Sequence, residues 1–404
     1  MKHLAILSSL LLLASAARAD RIADLADGRV RPSAAGDTAE AYVPIKLPSS
    51  HAANLLALPN GDLLCTWFSG TWENESDLGI VVSRLAKGSR QWTMPQVVTH
   101  KPGWAFQNPV LFFPPAGPLW LMHTSQKAGA GQAEARMYLL TSADMGATWS
   151  APKLMFDQPG AFDRQRLIVT GDTWLLPMYF TPSFGITKDA EANYSVMKIS
   201  RDKGKTWQEC RVPKSDGLVQ PDVIQLAPDR FVAFFRSRFA DWVYKSVSPD
   251  GCAWSAPEAT VIPNNNASIQ VERLRNGHLV MAFNNTQAAP TKGKPGRAAR
   301  VPVSIALSVD EGKTWPWVRD VETGAEVSKE PVPETLAGVH LNAKQLKSFQ
   351  DHTEAYEYPS ILQTEDGAIH VAYTFRRRTI KYVRIGEDWI KKGGTAGVYK
   401  GASH

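Results

Sequence analysis

An eight-residue phrase, Ser-x-Asp-x-Gly-x-Thr-Trp, occurs three times in this 404-residue chain. The copies are Ser142-Ala-Asp144-Met-Gly146-Ala-Thr148-Trp149, Ser200-Arg-Asp202-Lys-Gly204-Lys-Thr206-Trp207 and Ser308-Val-Asp310-Glu-Gly312-Lys-Thr314-Trp315. A worn copy, Ser248-Pro-Asp250-Gly251-Cys-Ala-Trp254, and a remnant, Ser83 followed by Trp92, continue the series. Neighbouring copies begin 48 to 60 residues apart. A period of that length holds a few short strands and marks a radial array of sheets.

The phrase spells out a hairpin turn. Its Asp accepts hydrogen bonds from the turn's own amides, and its Gly supplies a positive φ. Its Trp closes the turn by packing toward a neighbouring sheet. Asp144, Asp202 and Asp310 are therefore structural residues, not catalytic ones.

A second repeat runs in phase with the first. Each unit opens on polar residues, continues as an apolar strand, turns, and returns as a second apolar strand. The units begin at His51-Ala-Ala-Asn, Asn108-Pro-Val, Gln165-Arg-Leu, Gln220-Pro-Asp, Ser268-Ile-Gln and Tyr358-Pro-Ser. Alternation with Val, Ile, Phe and Tyr enrichment predicts strands. Six units predict an all-β chain, a six-bladed β-propeller with Asp-box turns, over residues 46–395. Residues 20–45 read as an irregular lead-in able to supply a strand that closes the ring. Residues 317–356 are an insertion with weak helical periodicity at Leu341 to Phe349.

The first residues carry Met1-Lys2-His3, an apolar run to Ala14 and Ala17-Arg18-Ala19. That pattern predicts a secretory signal peptide cut after Ala19, too short to remain as a membrane span. The expected destination is periplasmic or secreted, without membrane insertion. The three cysteines offer no Cys-x-x-Cys pair for zinc. Cys65 reads as core; Cys210 and Cys252 flank Asp-box turns, where an oxidising compartment would allow a bridge. Neither a His-x-x-x-His nor an acidic calcium-loop pattern appears, so no metal or other cofactor is expected, and His123 and His370 read as structural. A net charge of +6 is too mild to argue for nucleic acid and suits an anionic sugar.

The first residues of the inner strands ring one mouth of a propeller's channel. Here they are His51, Asn108, Arg164 with Arg166, Gln220 with Asp222, Gln270 and Tyr358. Burying so many polar groups about an axis is costly unless they serve a ligand or one another. The loop Gly70-Thr-Trp-Glu-Asn-Glu-Ser-Asp adds Glu73, Glu75 and Asp77, any of which could protonate a leaving oxygen beside Trp72; a solvated acidic turn is the plainer reading.

These boxes, the six-fold pattern and the strand phrases resemble the sialidase (neuraminidase) superfamily with bacterial neuraminidase repeats, over nearly all of residues 20–404. The resemblance implies a carboxylate held by three arginines, a tyrosine nucleophile assisted by a glutamate, and a loop acid/base. Tyr358 matches the nucleophile, Asp222 stands in the assisting position one methylene short, and Arg300 matches the third arginine. Asn74 occupies the best-aligned place for the loop acid, with Glu73 and Glu75 on either side. The chain departs from the pattern at the first arginine, which is His51, and at the second, where Trp242 stands although Arg236 and Arg238 are close. Arg164, Arg166 or Arg236 could approach from other blades.

Three readings follow. One is an exo-glycosidase for an acidic terminal sugar, with Tyr358 attacking and Asp222 taking its proton, a loop carboxylate as acid, and Arg300, Arg166 and Arg236, with Asn108, Gln220, Gln270 and Asp77, binding substrate. Another is a polysaccharide lyase acting on a uronate, with His51 or Tyr358 removing the proton next to the carboxylate. The last is a glycan-binding propeller without turnover.

Overall fold

The computed structural model describes residues 20–33, 36–182, 192–288, 296–324 and 331–394. The expected signal peptide at 1–19 lies outside these residues. Six antiparallel sheets follow one another along the chain as the blades of a propeller. The first runs Ser49–Ala57, Leu63–Gly70, Gly79–Leu85 and Gln96–His100, and the second Trp104–Phe112, Leu119–Lys127, Arg136–Ser142 and Lys153–Phe156. The third has a broken inner edge, Ala161–Phe162 and Ile168–Thr170, before Thr173–Phe180, Tyr194–Ser200 and Gln208–Arg211. Leu218–Ala227, Arg230–Ser237, Trp242–Ser248 and Glu258–Pro263 form the fourth, and Gln270–Arg273, Leu279–Asn284, Val303–Ser308 and Trp317–Glu322 the fifth.

The sixth blade has three strands from the C-terminal part of the chain, Tyr356–Gln363, Ile369–Phe375 and Thr379–Ile385. Its outer strand, Ala39–Tyr42, comes from the N-terminal segment and pairs Ala39 with Arg384 through Tyr42 with Lys381. Pairing the two ends of the chain in one sheet closes the ring and covers the outer edge of Thr379–Ile385. At this seam the buried Lys381 ammonium lies 3.1 Å from carboxylate oxygens of both Glu322 and Glu40.

The repeated phrase forms the turn its residues dictate. Asp310 accepts from Ser308 Oγ at 2.8 Å, Thr314 N at 2.8 Å and Thr314 Oγ1 at 2.6 Å, and Asp144 and Asp202 do the same in their boxes. The worn box keeps the function through Cys252 N and Ala253 N on Asp250. Glycine is required at Gly204: its φ is +84°, and a Cβ there would sit 2.5 Å from Trp120. The tryptophans fill the gaps between blades, Trp315 against Phe234 and Trp92 against Tyr382. Apolar clusters occupy successive blade interfaces, so the mass of the core surrounds the axis and leaves the inner strand ends to carry polar groups.

The insertion holds a short hairpin, Thr335–Leu336 with Val339–His340, and a helix, Ala343–Gln350, started by an Asn342–Gln345 capping box. Its Leu336, Leu341 and Phe349 form a small core of their own against Trp72 of the first blade's loop. The weak periodicity in the sequence was this one apolar face.

Candidate functional site

Four inner strands carry the same irregularity at the same place. A bulge falls between His51 and Asn54, Gln107 and Val110, Val219 and Asp222, and Glu357 and Ser360. The extra residue is left-handed each time: Ala52 at φ 64°, Asn108 at 46°, Gln220 at 53° and Tyr358 at 54°. Proline follows in three of the four, which suits a position with no ladder bond to donate. Non-glycine residues hold such angles only where the surroundings over-determine them, and bulges re-aim side chains beside functional sites. The bulge register makes Ala52, Asn108, Gln220 and Tyr358 equivalent, and likewise His51, Gln107, Val219 and Glu357.

Tyr358 is the centre of the cluster. Arg236 Nη1 donates to its hydroxyl at 2.5 Å, and the guanidinium carbons of Arg164, Arg236 and Arg300 lie 5.5, 5.5 and 5.8 Å from its ring centre. Burial pushes the phenol up, but Arg236 and Arg300, with Arg238, outweigh it and bring it down to about 8. Arg236 is held by Asn266 Oδ1, through Nε at 3.0 Å and Nη2 at 2.8 Å, and by Gln220 Oε1 at 3.2 Å. Arg238 is 2 % exposed, and its Nε has no hydrogen-bond partner; burial lowers its pKa to about 10. Tyr179 links the same group, with its hydroxyl 3.4 Å from Gln220 Nε2 and 3.3 Å from Asn108 Nδ2.

A chain of alternating charge runs from Tyr358 toward the first blade. Glu357, fully buried, is paired with Arg300 and with Arg377 Nε at 2.6 Å, and Arg377 Nη1 reaches Glu73 at 2.8 Å. Burial raises the Glu73 carboxyl, but the charges of Arg377 and Arg300 hold it below its ordinary value. His51 Nδ1 lies 2.9 Å from Thr374 Oγ1 and 3.6 Å from Glu357, and its ring is 4.2 Å from that of Tyr358. Burial first, then Arg377 and Arg300, pull its pKa well below the usual histidine range, so the imidazole is neutral.

The structure thus gathers His51, Glu73, Asn108, Gln220, Arg236, Arg300 and Tyr358 at one mouth. It places the other expected residues elsewhere. Asp222, expected to assist Tyr358, lies two residues further along its strand and accepts from Val271 N of the next blade at 2.5 Å. The group beside the tyrosine on that strand is the amide of Gln220, bridged to it by Arg236. Gln270 accepts from Ser360 Oγ and Ile361 N, both at 2.7 Å, and Arg166 pairs with Glu272 and donates to the Val271 and Ile361 carbonyls. With Asn54, which accepts from Leu111 N at 2.9 Å, these form a belt of blade-to-blade bonds below the mouth. Asp77 clamps its own loop through Thr71, and Glu75 faces Lys344 on the insertion helix at 3.4 Å.

Sequence reading did not single out Glu357, Arg377, Tyr179 or Asn266 as site residues. Two signals were present: Glu357 directly precedes the bulge tyrosine, and Arg377 is the middle of three arginines between two apolar strands. Trp72 walls the site at the first blade, edge-on to Phe349 at 4.7 Å and to His352 at 5.1 Å. Among the described residues, no group of three or more His, Cys, Asp or Glu is placed to hold a metal, and no helix is long and apolar enough to cross a membrane.

Six blades with Asp-box turns, with a tyrosine set among arginines at one mouth, give this chain the propeller fold that solved sialidases also have. The chain belongs to the family of BNR repeat-like domains, whose model matches residues 61–371. Comparison with curated proteins finds no match. Among solved structures it is similar to a Hadza microbial sialidase, Hz136, at 16 % identity and a TM-score of 0.65, covering 85 % of this chain and 67 % of that one. A protein of unknown function from Dyadobacter fermentans matches at 16 % identity and 0.63, covering 88 % and 98 %. The NanB sialidase of Streptococcus pneumoniae matches at 12 % identity and 0.63, covering 86 % and 70 %.

Proposed function

We propose that this protein is an exported exo-glycosidase that removes an acidic terminal sugar, sialic acid or a related one, from glycans. The observation that carries this reading is the Tyr358 hydroxyl 2.5 Å from Arg236, with Arg164 and Arg300 beside its ring. Guanidinium groups recognise a carboxylate by charge-assisted, often paired, hydrogen bonds. Arg236, Arg238 and Arg300 would seat the sugar's carboxylate and orient its anomeric carbon over the phenol. With a pKa near 8, Tyr358 is partly phenolate at neutral pH, so it can attack without a neighbouring carboxylate base. The bond from Tyr358 to the anomeric carbon would form as the glycosidic bond breaks. Glu73, held as a carboxylate by Arg377 and Arg300, would take a proton from the water that releases the sugar, and the leaving oxygen would take its proton from solvent. The Cys210–Cys252 disulfide supports an oxidising, extracytoplasmic destination.

A second reading is favoured by one detail. Tyr358 has an amide, not a carboxylate, as its neighbour on the fourth blade, and a neutral His51 at 4.2 Å. An acidified tyrosine beside a neutral imidazole and arginines suits β-elimination from a uronate. There Tyr358 or His51 takes the proton next to the carboxylate, the arginines stabilise the enolate, and the leaving oxygen departs protonated.

A panel of sialylated and uronate-ended glycans separates the readings when released sugar and ultraviolet absorbance are followed together. Hydrolysis yields a saturated sugar with no new absorbance, and elimination yields an unsaturated, absorbing product. Saturable binding with neither signal would make the protein a glycan-binding propeller.

A further inference from the structure

The turn joining Ile369–Phe375 to Thr379–Ile385 is made of Arg376, Arg377 and Arg378, and its first two residues are left-handed, at φ 54° and 58°. A hairpin turn with two consecutive left-handed residues is ordinarily built from Asn and Gly, because a side chain with a Cβ is strained there. Three adjacent guanidinium groups also repel one another, yet all three residues are 3 or 4 % exposed. A turn with these costs persists only where its surroundings over-determine it, and such strain collects at functional sites.

The restraints come from three sides. Arg377 is drawn inward to Glu357 and Glu73, and its carbonyl accepts from Ser50 N at 2.8 Å, next to His51. Arg376 N donates to Ala355 O at 2.8 Å, beside the strand that bears Tyr358. Arg378 turns the other way, and its Nη2 donates to Asp20 Oδ2 at 2.5 Å. Asp20 also caps the helix Arg21–Leu25, whose Ile22 is buried among residues of the fifth and sixth blades. Asp20, Ile22, Phe349, Thr353, Arg376 and Arg378 line one cavity, where the N-terminal segment, the insertion and the turn meet.

We infer that Asp20 and Arg378 are positioning residues: their ion pair ties the N-terminal segment to the arginine turn and thereby fixes Arg377 between Glu357 and Glu73. Neither residue touches the Tyr358 hydroxyl or its arginines in any hydrogen bond described above. Their effect passes through Arg377, which sets the acidity of Glu73. The consequence for turnover rests on the glycosidase reading; the consequence for the turn and for Glu73 does not.

The test compares the full chain with Asp20→Ala and with Asp20→Glu, which keeps the charge. Hydrogen exchange is measured in peptides spanning 374–380 and 48–52. The ionisation of Glu73 is followed by NMR of its carboxyl carbon, assigned with Glu73→Gln. In Asp20→Ala, exchange should quicken at 374–380 and 48–52 while the outer strands of the second and third blades keep their protection. The Glu73 pKa should rise, because burial remains while its cation is less well held, and Asp20→Glu should restore both. On whichever glycan the wild-type protein cleaves, kcat should fall about tenfold in Asp20→Ala with KM little changed, and the acidic limb of the profile should move to higher pH. Unchanged exchange at 374–380, or quickened exchange with an unmoved Glu73, overturns the inference. If the wild-type protein cleaves no acidic glycan, the glycosidase reading falls, while the exchange and NMR results still decide this one.

Discussion

Tyr358→Phe is expected to lower kcat/KM about a thousandfold on the glycan the protein processes, since the group that attacks the anomeric carbon or moves the proton is gone. The variant keeps the ring over which Arg164, Arg236 and Arg300 lie at 5.5 to 5.8 Å, so substrate binding should change far less than turnover. It also leaves Arg236 Nη1 with Gln220 alone, a loss of about 1–3 kcal/mol of stability. Steady-state kinetics paired with a denaturation curve separates the two effects. A variant that is folded and turns over at the wild-type rate would remove the hydroxyl from the chemistry and leave the arginines as binding groups only.

The largest expected effect on stability comes from the covalent link between the third and fourth blades. Cys210, on the outer strand Gln208–Arg211, is bonded to Cys252 in the worn Asp box, and the two are 42 residues apart. Closing a loop of that length restricts the unfolded chain by about 4 kcal/mol. The worn box has lost the Thr that in the other copies donates to the Asp, and the bridge fastens this turn instead. Cys210→Ser with Cys252→Ser should lower the free energy of unfolding by roughly this amount, and reductant should do the same to the wild-type protein. The measurement is a denaturant midpoint with and without reductant. Cys65, 1 % exposed, is no substitute partner, and burial holds its thiol far above the usual range. An unchanged midpoint in both experiments would mean that the blades hold this turn without the bond.

The sequence carried the scaffold in full view because its determinants are local. Asp310, Gly312 and Trp315 write their own turn, and six alternating phrases write six inner hairpins. The site was only partly legible because its determinants are not local. The alternation of a strand has period two, so Gln220 and Asp222 point to the same side in any regular strand, and nothing in the sequence says which stands at the mouth. The bulge settles it by making Gln220 the counterpart of Tyr358 and leaving Asp222 in the belt with Asn54 and Ser360. Its written trace was the proline after Asn108, Gln220 and Tyr358. Arg377 was obscured for a different reason: it occupies a left-handed turn without Gly or Asn, so no turn signal marked it. Its partners Glu73 and Glu357 lie 304 and 20 residues away.

The chemistry proposed for this protein depends on the buried guanidinium groups of Arg236, Arg238 and Arg300 meeting at the Tyr358 phenol. A pH titration of tyrosinate absorbance, taken as the difference between wild type and Tyr358→Phe, reads that meeting without any substrate. One tyrosine should ionise near pH 8 in the wild-type protein, and in Arg236→Gln the same step should move upward, because burial remains while a cation is removed. A wild-type Tyr358 that ionises at or above pH ~10, the ordinary tyrosine value, or one that Arg236→Gln leaves in place, would contradict the site described here.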